Sequence, residues 1–275
     1  MNFEETKYWY GQIFPGDMQL SEHAGRVFGV GRFDVWGDAA PVQIAEFSVS
    51  DTDSAVATAN LSRVDYELRT PDQQDVRVEL VMVGSKELPL HEILATAAGM
   101  ISEAPTQWYP QPGRVLTHAI TTAVSALLHA DDEVRGKHGS GASDDDAVAP
   151  LTPMAAPDAA QTGVTTPHLL CIVPSLWSQG APQVTEVPGQ VSMSVGDSKS
   201  PGGRITTMSQ LIPITNDEAE FLAHHPSVTA AEGSAEADPL AKAGVYSMAA
   251  QDLMHKFVAA GTDLRDLTRE SVTGL

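Results

Sequence analysis

The chain reads as an α+β fold: a mixed, mostly antiparallel β-sheet with α-helices packed against it and long disordered loop insertions. Three observations predict this. Two short apolar runs carry β-branched residues, His168-Leu169-Leu170-Cys171-Ile172-Val173-Pro174-Ser175-Leu176-Trp177 and Ile205-Thr206-Thr207-Met208-Ser209-Gln210-Leu211-Ile212-Pro213-Ile214. Runs of this length and composition are strands. Proline cannot donate to a ladder, so they are expected to end at Pro174 and Pro213. Next, Thr215-Asn216-Asp217-Glu218 has the spacing of a capping box, in which Thr215 and Glu218 each accept from the other's amide. Asp217, Glu218 and Glu220 suit the positive pole of the helix that follows, Thr215–Ala223, which Phe221 and Leu222 anchor and Pro226 stops. Third, Pro89–Glu103 places Leu90, Ile93, Leu94, Ala97, Met100 and Ile101 on one stripe, the pattern of an amphipathic helix, with Pro89 at its first position and Pro105 beyond its end.

From the N-terminus, Tyr8, Trp9, Tyr10, Ile13 and Phe14 precede a Pro15-Gly16 turn. Arg26–Trp36 reads as a strand pair with a bulge at Gly29-Val30-Gly31, which lacks the third glycine and the Lys-Ser/Thr of a phosphate loop. Val42–Val49 alternates as a strand, and Asp51–Asn60 has the composition of a loop. Tyr66–Thr70 and Asp75–Val83 flank a Pro71-Asp72 turn. In the second run Val76, Val78, Leu80 and Met82 share a face opposite Arg77 and Glu79, so a half-buried strand is expected. Trp108 and Tyr109 lie in a rigid loop rich in proline, and Thr117–Leu128 fits either a strand or a short helix.

Residues 131–167 change character. They are rich in Ala, Asp, Gly, Ser, Thr and Pro, have no aromatic residue, and are expected to be a disordered insertion. Their acids are Asp131, Asp132, Glu133, Asp144, Asp145, Asp146 and Asp158. Residues 178–204, with a weak hairpin arm at Gln190–Val195, and 230–243 read as further flexible loops. Ser247 is placed to cap a last helix through Ala260, with Gly261 as its left-handed stop. No internal repeat is visible, and 1–275 is read as one domain.

The 275 residues carry 36 acids against 16 Lys and Arg, a formal charge of -20. Nucleic acid and anionic membranes are therefore poor partners, whereas a basic protein is attracted. No apolar run of about 18 residues exists, so no membrane span is expected. The acidic, aromatic N-terminus lacks the features of a signal peptide, which predicts a cytoplasmic location. The one cysteine, Cys171, excludes an internal disulfide and reads as a buried, inert thiol.

The phrases HLLCIVPSLW and QLIPITNDEAEFL resemble the suppressor-of-fused domain family, whose bacterial members carry a "PxLW"-like strand end and a strand running into "PI(S/T)xxE" and a helix. HEILATAAGMI with QPGRV (91–101 and 111–115) and DLRDLTRESV (263–272) match in the same order. The resemblance covers about residue 77 to the C-terminus and contains no catalytic signature. It implies a protein-binding domain: animal members restrain transcription factors, and bacterial relatives look like immunity proteins that neutralise toxins. A basic toxin is a partner that the charge would suit.

Chemistry is otherwise sparse. The nine histidines form no ligand pattern, Ser175 lacks the glycines of a nucleophile elbow, and His168 and Cys171 face opposite sides of a strand. Neither a metal nor a cofactor is expected. Asp217, Glu218 and Glu220, read as solvated acids at a helix start, and Trp108 with Tyr109, as aromatic anchors, are the candidate protein-binding residues. Two alternatives stay open: a hydrolase using carboxylates near Glu218, and an adaptor binding an extended peptide along a sheet edge.

Overall fold

Strand β5 (Asp75–Ser85) lies beside β9 (Arg204–Ile214) in parallel, Val76 against Ile205, and this pairing joins the first half of the chain to the second. The structure, a computed structural model, describes residues 1–23, 32–34, 39–105, 108–136, 163–186, 203–224 and 248–273. Outward from β5 run β4 (Asp53–Thr58), β3 (Ala39–Ser48) and β1 (Met18–His23). Outward from β9 run β7 (His168–Ile172) and β6 (Val115–Leu116). Two short strands sit off this path, β2 (Arg32–Asp34) on β3 and β8 (Gln183–Glu186) on β9. Apart from β5–β9, every strand pair described is antiparallel.

Both faces of the sheet are covered, which explains several departures from the sequence reading. On one face α2 (Leu90–Glu103) and α3 (Ala119–Gly136) pack Ile93, Leu94, Ile101 and Ile120 onto Val56, Val78, Leu80 and Leu169. On the other, α1 (Phe3–Ile13) lays Trp9 and Tyr10 over Phe47, Ala55 and Met208, joined by Phe14, which stacks on Phe47 with ring centroids 4.2 Å apart. Further along that second face α4 (Asn216–His224) and α5 (Met248–Ala260) bury Leu222, Leu253 and Phe257 against Leu170, Ile172, Ile212 and Ile214.

Helix α1 opens with a capping box in which Asn2 and Glu5 exchange bonds, a signal legible in the first five residues but not drawn from them. Asp51–Asn60, expected as a loop, holds β4: its small residues leave no strong alternation, yet Ala55, Val56 and Ala57 are all buried. Strand β5 is buried on both faces and not half-buried, with Arg77 and Glu79 both inside. Thr117–Leu128 resolves as helix, after the two-residue β6.

Both ends of the stretch 131–167, expected to be disordered, belong to the described fold. Helix α3 runs to Gly136, and Val164, Thr166 and His168 are buried, while 137–162 lie outside the described residues. The loop 178–204 contributes β8 at Gln183–Glu186; the arm expected at Gln190–Val195, the Gly29–Gly31 bulge, Ser247 and the 230–243 loop lie outside the described residues. Strand β9 does not end at Pro213 but continues to Ile214. Pro213 pairs with Leu169 beyond the last β5 partner, Gln210, so on the β5 side its missing N–H leaves no ladder bond unmade. Strand β7 stops at Ile172, ahead of Pro174, and Pro89 is the N-cap of α2, one position before the first helical residue.

Candidate binding surface

The capping box at the start of α4 forms as expected. The Thr215 amide donates to Glu218 Oε2 at 2.9 Å, and the Glu218 amide donates to Thr215 Oγ1 at 3.3 Å. The expectation that Glu218 is a solvated acid is corrected: it is fully buried. Arg269 donates to it from both ends of its fork, Nη1 to Oε1 and Nη2 to Oε2, each at 2.7 Å. The Val272 amide donates to Oε1 at 3.1 Å. Arg269 Nη2 also donates to the Pro213 carbonyl at 2.8 Å, and the guanidinium lies 4.8 Å from the Phe257 ring centre. Glu218 therefore ties the C-terminal segment to β9, α4 and α5. With its oxygens occupied by these donors, it is not available as a hydrolytic carboxylate. The cause is a side chain projecting inward from the first turn onto a guanidinium far away in sequence.

Its neighbours differ. Asp217 is half-buried and Glu220 is exposed, so these two are the acids of the set that solvent reaches. Trp108 and Tyr109 are half-buried and pack against the α2–α3 core, and Arg114 stacks 4.8 Å from the Tyr109 ring centre. Consecutive residues Leu169 and Leu170 point to opposite cores, and the aromatics share the core of the first while α4 shares the core of the second. The acids and the aromatics are thus on opposite faces of the sheet and do not form one patch. A cavity of about 270 Å³ opens on the α5 side, with Ile172, Val173, Ala250 and Met254 among its walls and His255 beside them.

Buried ionisable groups are held by local partners. Glu79 accepts from Thr58 Oγ1 at 2.6 Å and from the Leu61 and Ser62 amides at 3.1 and 3.0 Å, at the start of the 3₁₀ turn Leu61–Arg63. Burial nonetheless pushes its carboxyl above the ordinary range, outweighing those hydrogen bonds. Asp75 accepts from Arg77 Nε and Nη2 at 3.0 and 2.7 Å and pairs with Arg69. Burial pushes the Cys171 thiol up to about 12, in keeping with an inert core cysteine. Burial also lowers His168, which accepts at Nδ1 from the His118 amide at 2.8 Å and meets Asn216 Oδ1 through Nε2, also at 2.8 Å.

One constellation was invisible in the sequence. Ser21 Oγ of β1 lies 3.0 Å from His91 Nδ1 on the first turn of α2, and His91 Nε2 lies 2.9 Å from Glu46 Oε2 of β3. Ser54 Oγ of β4 donates to the other oxygen, Glu46 Oε1, at 2.6 Å. That bond is the leading reason the Glu46 carboxyl sits below its ordinary range, with His91 adding to it. Four elements meet here, and no sequence spacing links residues 21, 46, 54 and 91.

Among the described residues no group of three or more His, Cys, Asp or Glu is placed to hold a metal ion, and no helix is long and apolar enough to cross a membrane. No family model and no curated protein matches the chain. Among solved structures the chain is similar to a Neisseria gonorrhoeae protein designated a SUFU (suppressor of fused protein) homolog, at 12% identity and a TM-score of 0.45, over 99% of this chain and 96% of that one.

Proposed function

We propose that this chain is a suppressor-of-fused-type binding domain that acts as an immunity protein, neutralising a basic protein toxin by stoichiometric binding with no turnover of the toxin. The observation that carries the reading is the ordered set of family-like phrases together with where they meet. HEILATAAGMI forms most of α2, HLLCI forms β7, and QLIPI with NDEAEFL forms the end of β9 and most of α4. The turn QPGRV is bonded to β7, with the Gly113 amide donating to the Cys171 carbonyl at 2.7 Å and the Cys171 amide to the Arg114 carbonyl at 2.8 Å. DLRDLTRESV supplies Arg269 to Glu218 and packs Leu267 in the core that holds Ile93 and Leu94. Segments almost two hundred residues apart in sequence thus form one structural unit, as residues of a shared domain pattern would.

The net charge of -20 supports the choice of a basic partner, since opposite fields raise the rate of encounter. Asp217 and Glu220 supply part of that field, and Trp108 and Tyr109 are the short-range anchors of a second contact region. The test is co-expression of the chain with the product of a neighbouring gene that is toxic alone. Rescue by the wild type, weakened by Trp108→Ala or by the pair Asp217→Asn with Glu220→Gln, is the expected result. Rescue by none of the neighbouring pairs tried, with the chain folded, would reject the immunity reading.

A further inference from the structure

We infer that Ser21, His91 and Glu46 form a nucleophilic relay able to take up an acyl group from a small activated ester, an activity independent of the binding proposed above. The geometry has the parts such chemistry needs: a hydroxyl within hydrogen-bond reach of an imidazole, which is in turn oriented by a third group. The carboxylate of Glu46 accepts only, so His91 Nε2 carries the proton and donates it across the 2.9 Å contact. That tautomer leaves the Nδ1 lone pair facing Ser21 Oγ at 3.0 Å, where it accepts the hydroxyl proton. Another acceptor, the Ile44 carbonyl, is farther away, at 3.5 Å. Ser54 fixes the far oxygen of Glu46 at 2.6 Å, so the orienting group is itself oriented.

Access and electrostatics point the same way. The side chains of His91 and Glu46 keep 23% and 32% of their surface, so solvent reaches both. His91 is the second residue of α2, and the N-cap of that helix, Pro89, makes no side-chain capping bond. The relay therefore stands at the N-terminal end of the α2 dipole, where charge developing on an acyl oxygen would be favoured.

The step balances without a cofactor. Ser21 Oγ bonds to the acyl carbon, its proton passes to His91 Nδ1, and the bond from carbon to the alcohol oxygen breaks as that proton is handed on. Water then attacks the acyl-serine by the reverse route and frees the acid. Ser21 and His91 are the catalytic residues, and Glu46 is a positioning residue.

The test is labelling of the purified full chain with a fluorophosphonate probe, mapped by mass spectrometry, with circular dichroism confirming that each variant is folded. The expected result is one adduct per chain on Ser21, none in Ser21→Ala, and labelling slowed about 100-fold or more in His91→Gln, the low end of what a general base contributes. In Glu46→Gln labelling should slow with the fold retained, because the amide no longer fixes the imidazole tautomer, and Glu46→Asp should restore part of the rate; a purely structural role would leave the labelling rate of the folded variants in place. Folded wild type that takes no label at Ser21, or a His91→Gln variant labelled there at the wild-type rate, would overturn the inference.

Discussion

Replacing Arg269 with Met removes the guanidinium and keeps an apolar stem over Phe257. It strands Glu218, which is fully exclosed from solvent, without the partner that contacts both its oxygens at 2.7 Å. Two amide donors remain, from Thr215 and Val272, too few to hold a carboxylate charged at that depth without cost. Breaking a buried pair from one side costs about 3–5 kcal/mol. At about 2–4 °C per kcal/mol for larger domains, the melting temperature should fall by about 6–20 °C. Urea denaturation of wild type, Arg269→Met, Glu218→Gln and the double variant measures this directly. The double variant should be more stable than the sum of the single losses, by about 0.5–3 kcal/mol, because the second change removes the charge that the first left unpaired. A loss below about 1 kcal/mol for Arg269→Met, the size expected of an exposed pair, would show that the clasp does not hold the C-terminal segment.

Leu94 is fully buried beneath α2, so Leu94→Asp should cost about 3 kcal/mol or more by placing an unpaired charge in the core; a wild-type melting curve would refute its place there. Deleting 131–167 should destabilise the chain, because it removes the last residues of α3 together with Val164 and Thr166, whose hydroxyl donates to the Leu267 carbonyl at 3.0 Å. Deleting only 137–162 and joining the ends with a short Gly-Ser linker should leave the melting temperature within a few degrees, since loop-closure entropy changes slowly with length; equal losses in the two deletions would contradict this. Ser54→Ala should raise the Glu46 carboxyl toward its ordinary range, read by carboxyl NMR titration. A carboxyl whose folded pKa is depressed adds stability that is present above its unfolded value, about 4.3, and lost as pH falls through the folded value. The variant has less to lose, so the acid limb of its stability curve should be shallower.

Strong local patterns were the legible part of the fold. The α2 stripe, the Thr215–Glu218 box and the run from Ile205 to Ile214 each announce their element, because large side chains at regular spacing leave little choice. Strand β4 was hidden because Ser54, Ala55 and Ala57 are small, and their burial comes from β3 and β5 on either side. Arg77 and Glu79 looked like a solvent face because charge in a strand usually marks one. Here the second face is also covered, and the charges are met by Asp75, which pairs with Arg77, and by the 3₁₀ turn, whose amides donate to Glu79. Glu218 was readable as a cap, but its partner was not, since nothing local in DLRDLTRESV says that Arg269 reaches back to α4. The Ser21–His91–Glu46 relay was beyond reach for the same reason: its members come from three elements that only the tertiary fold brings together.

The most direct test of the binding account is stopped-flow association of the purified chain with the product of a neighbouring gene, followed as salt rises through about 0.15 M, where the screening length is about 8 Å. The account predicts a saturable one-to-one complex whose association rate falls steeply with salt, and falls further in the variant carrying Asp217→Asn and Glu220→Gln. Its dissociation rate should change much less. The absence of a saturable complex with every neighbouring product, or association indifferent to salt, would contradict stoichiometric binding of a basic partner.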